Sequence, residues 1–123
     1  MTTVAEYADV LRNPDLKLYE DGWYTSQTTG NQGYWARFSI GSEWYWYSVS
    51  DMAVKVSPLE VADAITSRDS TVNRSGAYKE NGFEATVRVE GHSYMLNAGD
   101  SKPESFYQLA TLRLSPEHGT KPK

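Results

Sequence analysis

Side chains that could support nucleophilic, acid–base or metal chemistry are sparse in this 123-residue chain. It has no cysteine, and its two histidines, His92 and His118, are well separated in the sequence. A metal site needs several His, Cys, Asp or Glu side chains close together, so we expect no metal and no cofactor. Glu90 and His92 flank a predicted turn, where solvated polar side chains are ordinary. No Gly-x-Ser-x-Gly pattern marks a serine nucleophile.

Three acids lie close to a dense group of tryptophans, which raises the question of carbohydrate hydrolysis. Glycoside hydrolysis uses two carboxylates on either side of a sugar groove. Glu20, Asp21 and Glu43 all lie beside predicted turns, where acidic side chains are commonly solvated. We therefore expect no enzyme, and keep a hydrolase using these acids as a minor alternative.

The most prominent feature is an aromatic band. Nine of the sixteen aromatic residues, including all four tryptophans, fall between Trp23 and Tyr47. Successive side chains of a strand point to opposite faces, so the run from Trp44 to Tyr47 places two tryptophans on one face and two tyrosines on the other. One face can belong to the core, and the other needs a helix, a second subunit or a ligand as its cover. We expect Trp35 or Phe38, and one pair of this run, to be buried.

Trp, Tyr and Arg dominate the energetics of protein interfaces, so the exposed part of the band is predicted to bind a partner. The acidic residues near the band are predicted to form the rim of that surface. The predicted partner-binding residues are Trp23, Tyr24, Trp35, Arg37, Tyr45, Tyr47, Glu20, Asp21 and Glu43.

Charge narrows the class of partner. The net charge is −4, with −5 in residues 1–67 and +1 in residues 68–123. Nucleic-acid binding usually needs a basic stripe beside stacking aromatics, so direct nucleic-acid binding is not expected. Acidic rim residues would steer a basic protein partner, such as a nucleic-acid-handling protein. The N-terminus does not resemble a signal peptide and no apolar run is long enough to span a membrane, so a cytoplasmic location is expected.

These features predict a small non-catalytic protein that inhibits or occludes a macromolecular partner, as immunity proteins and phage-encoded antagonists of host defence do. The alternative is a carbohydrate- or small-ligand-binding module that uses the Trp/Tyr band as a stacking platform. Because large apolar patches rarely persist on monomers, a homodimer is a further option.

Hydrophobic spacing and turn residues predict an α+β fold in which an antiparallel sheet packs with two short helices. Thr3–Glu6 and Ser57–Glu60 match the capping-box pattern and predict helices over 4–12 and 58–67, with Leu59, Ala62 and Ile65 buried in the second. A meander of about four strands is expected first and a hairpin later. The predicted strands are 16–19, 23–28, 34–40, 43–49, a short one at 52–56, 83–90 and 92–96.

The remaining segments are predicted to form a surface loop, one further strand and a C-terminal tail. Residues 67–77 carry few apolar side chains and are interpreted as a surface loop. Residues 106–114 are interpreted as a strand, with a helix as the alternative. One domain is expected over 1–114, followed by a disordered C-terminal tail over 115–123. In 83–90, strict alternation predicts that Phe83, Ala85, Val87 and Val89 face the core.

Overall fold

A computed structural model of the chain describes residues 3–26, 29–78, 82–99 and 115–118. Two helices and seven strands make up these ranges, and the strands form one sheet. The predicted α+β class with an antiparallel sheet and two short helices is confirmed. The elements in chain order are α1 (Val4–Leu11), β1 (Lys17–Thr25), β2 (Gln32–Ile40), β3 (Glu43–Val49), α2 (Pro58–Ile65), β4 (Thr71–Tyr78), β5 (Gly82–Val89), β6 (His92–Ala98) and β7 (Ser115–His118).

The sheet is built from two three-stranded meanders. Its strand order is β4-β5-β6-β3-β2-β1-β7, so β3 and β6 join the two meanders at the centre. Two-residue turns close the hairpins at Gly41-Ser42 and Glu90-Gly91. Gly41, Glu90 and Gly91 have φ of 57°, 50° and 83°, the left-handed region that such tight hairpin turns require.

Both helices begin at the predicted caps and pack on the same face of the sheet. The Thr3 side chain accepts a hydrogen bond from the Glu6 backbone N–H, and Ser57 with Glu60 forms a complete capping box. The predicted burial of Leu59 is wrong, because this side chain is 59% exposed. The buried stripe of α2 runs through Val61, Ala62 and Ile65, and position 59 lies about 200° around the helix from position 61.

The first two predicted strands, over 16–19 and 23–28, correspond to one continuous strand, β1 (Lys17–Thr25). Asp21 and Gly22 were expected to form a turn, but β1 continues through them and has a bulge between Leu18 and Glu20. β1 is held by β2 on one side and by β7 on the other at Gly22–Thr25. The sheet's backbone hydrogen bonds thus override a local turn signal, and the predicted four-strand meander has three strands.

Three further expectations differ from the structure. Residues 71–78 are strand β4 and not a loop, since their backbone pairs with β5, although the side chains of residues 71–77 stay exposed. The segment 52–56 is not a strand; Val54 is exposed there and Val56 is buried. Within the predicted disordered tail, Ser115–His118 forms strand β7 against β1. The predicted strand over 106–114 lies outside the described residues.

The core lies between the helices and one face of the sheet. Phe83, Ala85, Val87 and Val89 are all buried there, which confirms the alternation predicted for β5. Tyr7 of α1 donates its hydroxyl proton to the Trp46 carbonyl at 2.6 Å, which anchors the helix to the middle of the sheet. Among the described residues, no helix is long and apolar enough to cross a membrane.

Candidate functional site

The face of the sheet opposite the helices, here called the far face, carries most of the polar side chains of the central strands. Strand register arranges these residues in rows across the sheet. The first row is Glu20, Arg37, Trp46, Asn97 and Glu84. The second row is Gly22, Trp35, Ser48, Met95, Thr86 and Arg74.

Most of the predicted binding residues are buried. Five of the nine are at most 4% exposed: Trp23, Tyr24, Trp35, Arg37 and Tyr47. The expectation that exposed members of this group would anchor a partner is therefore wrong for these five. The reason is that β2 is buried on both faces, with every residue from Gly33 to Phe38 enclosed, so the central aromatic residues form core on either side of it.

The run from Trp44 to Tyr47 was expected to be buried on one of its two faces, but its burial follows a different pattern. Trp46 and Tyr47 are buried, whereas Trp44 and Tyr45 are half-buried. Burial therefore changes along β3 from its start to its middle, and does not separate one face of the strand from the other.

Two of the three predicted rim acids are paired inside the molecule. Glu20 forms an ion pair with the buried Arg37 at 3.3 Å. Asp21 forms one with Lys55 at 3.2 Å and accepts the Tyr34 hydroxyl proton at 2.7 Å. Burial raises the pKa of Tyr34, and the Asp21 hydrogen bond and charge raise it further. Glu43 alone among the three is an exposed acid.

Accessible and half-buried apolar side chains lie on both faces of the sheet where β1 and β3 begin. We call this region the aromatic corner and define it as Tyr19 and Trp44 on the far face, with Leu18 and Tyr45, which both pair with Phe38, on the face that packs against the helices. Leu18 is 54% exposed and Tyr19 is 52% exposed. The rings of Tyr19 and Trp44 meet edge-to-face, with centroids 5.1 Å apart and planes at 86°, a preferred geometry for aromatic pairs.

The Tyr19 ring is also supported from inside the sheet. The buried Arg37 guanidinium lies 6.0 Å from its centroid, within the range of a cation–π contact. On the other side of the corner, the Tyr45 ring makes an edge contact with the core residue Tyr7 at 6.3 Å. Burial raises the pKa of Tyr45, with a smaller contribution from the Glu43 charge.

Tyr19 and Trp44 were not among the predicted binding residues. The bulge between Leu18 and Glu20 leaves Tyr19 as the unpaired extra residue of β1, and bulges commonly redirect a side chain. Nothing in the spacing of residues 16–19 marks a bulge. For Trp44, the available signal was its position as the first ring of the run, next to a turn and thus near the rim of the sheet.

The middle of the far face holds an unusual buried amide. Asn97 is fully buried, and neither its amide nitrogen nor its amide oxygen has a hydrogen-bond partner among the described residues. Such an unpaired buried group destabilises a fold by roughly 1–3 kcal/mol. Its cross-strand neighbours Trp46 and Glu84 line a cavity of about 330 Å³, at whose wall Glu84 forms an ion pair with Arg74 at 2.7 Å.

The described residues contain no group of three or more His, Asp, Glu or Cys side chains that could hold a metal ion. Comparisons with protein-family models, with curated proteins and with solved structures find no match to this chain.

Proposed function

We propose that this chain is a non-catalytic protein-binding protein that occludes a surface of a macromolecular partner, with the aromatic corner as its contact surface. The observation that carries the proposal is the Tyr19–Trp44 pair. Tyr19 is the accessible ring of the pair, and it is held against Trp44 near the starts of β1 and β3.

Side chains of the aromatic corner are already partly ordered before a partner binds. Association costs free energy for each side chain that becomes immobilised, typically about 0.5–1.5 kcal/mol. Tyr19 is positioned by Trp44 on one side and by Arg37 behind it, so little of its freedom is left to lose. Large, preordered aromatic side chains of this kind are typical interface anchors.

Charge near the corner supports a partner with a basic surface. Glu43 is exposed and directly precedes Trp44. Charges at the rim of an interface act mainly on the association rate, and salt weakens their effect. Since Glu20 is engaged by Arg37, Glu43 is the acid available for this role at the corner.

The stacking-platform alternative has less support. A carbohydrate platform needs several accessible indole faces, but Trp23, Trp35 and Trp46 are buried. Only the half-buried Trp44 belongs to the corner, which suits a single contact better than an extended sugar.

The experiment begins with copurification of partners from the native host, followed by binding kinetics with the captured partner. We expect Tyr19→Ala to weaken binding about 30-fold, equivalent to a hot spot of roughly 2 kcal/mol, mainly through faster dissociation. Val72→Ala is the matched control, because Val72 is an exposed apolar side chain of β4, which lies at the other end of the strand order from β1. This control should bind like the parent protein.

Glu43→Gln should slow association at low salt, and the difference should shrink as salt increases. If Tyr19→Ala binds as tightly as the parent while a control variant loses binding, the aromatic corner is not the contact surface. If no partner is captured by the parent protein, the proposed function itself fails.

A further inference from the structure

A second cavity lies on the far face at the opposite end of the sheet from the aromatic corner, where β1 and β3 end. Its volume is about 360 Å³, within the range of small-molecule sites. Eight of its nine lining residues carry a polar or charged group, although apolar atoms make up more than half of the exposed wall. The lining residues that matter here are Tyr24, Ser50, Asp51, Arg88, Ser93 and Met95.

Hydroxyl groups in this cavity are held in place by bonds that use their oxygen atoms. The Ser50 hydroxyl oxygen accepts the backbone N–H of Ser93 at 2.7 Å. The Ser93 hydroxyl oxygen accepts a proton of the Arg88 guanidinium at 3.1 Å. A hydroxyl that accepts in this way still has its own proton to donate. The wall therefore offers fixed hydroxyl donors next to a cation, an arrangement that suits a carboxylate.

The backbone around these hydroxyls is also fixed. The Ser50 N–H donates to the Ser93 carbonyl at 3.0 Å, and a ring nitrogen of His92 lies 2.8 Å from the Ser50 carbonyl oxygen. The donors thus belong to paired backbone, which keeps them in position before a ligand enters.

The cavity wall carries both signs of charge. Asp51 and Arg88 both line it, yet no ion pair joins them in the described ranges. The Asp51 charge also acts on Tyr24, another lining residue of the cavity. Burial raises the pKa of Tyr24 to about 12; a hydrogen bond with the Ser48 hydroxyl lowers this pKa, and the Asp51 charge raises it. The two charges are therefore available to separate groups of one ligand.

We infer that this cavity binds a small zwitterion of the α-amino-acid class. Its carboxylate would meet Arg88 and the serine hydroxyls, and its ammonium group would meet Asp51. A simple anion is repelled by Asp51 and a simple cation by Arg88, whereas a zwitterion is attracted by both. Met95 and the Tyr24 ring supply apolar surface for a side chain. The site is separate from the aromatic corner, and the inference does not depend on the proposed protein partner.

The first test is an amide-detected NMR titration of the full chain with the proteinogenic L-amino acids, one at a time at millimolar concentration. For at least one of them, we expect saturable shifts at the amides of Ser50, Asp51 and Ser93. The N-acetyl derivative and the decarboxylated amine of that amino acid should bind at least tenfold more weakly, because each lacks one charge. Glucose should not bind. Absence of binding by every amino acid, or equal binding by either derivative or by glucose, would overturn the inference.

Substitutions then assign the two charges. Arg88→Gln should weaken binding of the amino acid at least tenfold, equivalent to about 1.4 kcal/mol. Asp51→Asn should weaken it similarly but strengthen binding of the N-acetyl derivative, because the repulsion of an anion is removed. Asp51 has φ of 52°, a conformation that asparagine tolerates well, so the fold should be retained. Arg12→Gln, at a surface ion pair with Asp63, is the control. Unchanged affinities in Arg88→Gln and Asp51→Asn would show that these charges do not form the site.

Discussion

The two halves of the sheet use the same antiparallel geometry but bury different amounts of side chain. In the β1–β3 half, β2 is enclosed on both faces from Gly33 to Phe38. In the β4–β6 half, β5 alternates: Phe83, Ala85, Val87 and Val89 are buried, and the residues between them are half-buried or exposed. The far face of β2 thus belongs to the interior, whereas the far face of β5 is partly open to solvent.

This difference changes how the aromatic band is interpreted. Alternating apolar and polar residues in a strand indicate that one face of the strand is buried. Large rings on both faces indicate that both faces are buried. Trp35 and Arg37 stand on the far face of β2 and are as buried as Phe38 on the helix face. The band therefore marks an interior with two sides, and the rings available for contact lie at its corner.

The largest effect is expected from a charge placed in the one-sided half. Val87→Asp should unfold the domain, with a loss of more than about 4 kcal/mol, because an unpaired carboxylate would enter the core. Thermal melting measures this loss directly. Thr86→Asp is the matched control on the far face of the same strand, and it should melt cooperatively with a much smaller shift. A Val87→Asp protein that melts at the parent's midpoint would contradict the register of β5.

The second prediction compares the far face in the two halves. Trp35→Ala should lower the free energy of unfolding by about 3–5 kcal/mol, since the indole is completely buried. Thr86→Ala, in the same far-face row as Trp35 but at a half-buried position of β5, should cost about 1 kcal/mol or less. Urea denaturation of both variants measures the difference. Equal costs would mean that the β1–β3 half has no second core.

The third prediction uses the buried tyrosines of the β1–β3 half. Burial raises the pKa of Tyr24 from about 10 to about 12 and also raises those of Tyr34 and Tyr47. In the unfolded chain these hydroxyls ionise above about pH 10 and thereby stabilise that state. The tyrosine contribution to folding stability is therefore constant below about pH 10 and falls as the pH rises toward about 12. Tyr24→Phe should reduce the fall by about 2 kcal/mol at pH 12. Denaturation midpoints across this pH range provide the measurement, and an identical alkaline loss in both proteins would contradict the burial of Tyr24.

Local chemistry was enough to predict several parts of the fold. Ser57 and Glu60 hydrogen-bond to each other's backbone within one turn, and Glu90-Gly91 forms its hairpin from its own backbone conformation. The alternation of β5 predicted its inward residues because register is strongly specified when one face is buried. In each case the interaction that decides the structure lies within a few residues of the pattern that signals it.

The candidate site was less accessible to sequence reasoning. The aromatic band drew attention to the correct strands, but its accessible part depends on Tyr19, whose place beside Trp44 follows from a bulge in β1. The far-face cavity at the ends of β1 and β3 brings together Tyr24, Ser50 and Arg88 from three strand ends. Their separation in the sequence offers no pattern that could have grouped them.

Residue types and their spacing were sufficient to predict the fold class of this chain, its helix caps, the tight turns at Gly41-Ser42 and Glu90-Gly91, and the inward face of β5. Tertiary structure decided that Asp21-Gly22 continues a strand, that residues 71–78 pair with β5, and that the far face of β2 is interior. Caps and turns are stabilised by neighbours in sequence, so their signals are local. Strand continuity and two-sided burial are stabilised by backbone partners and packed side chains contributed by distant segments, and no single stretch of sequence contains those partners.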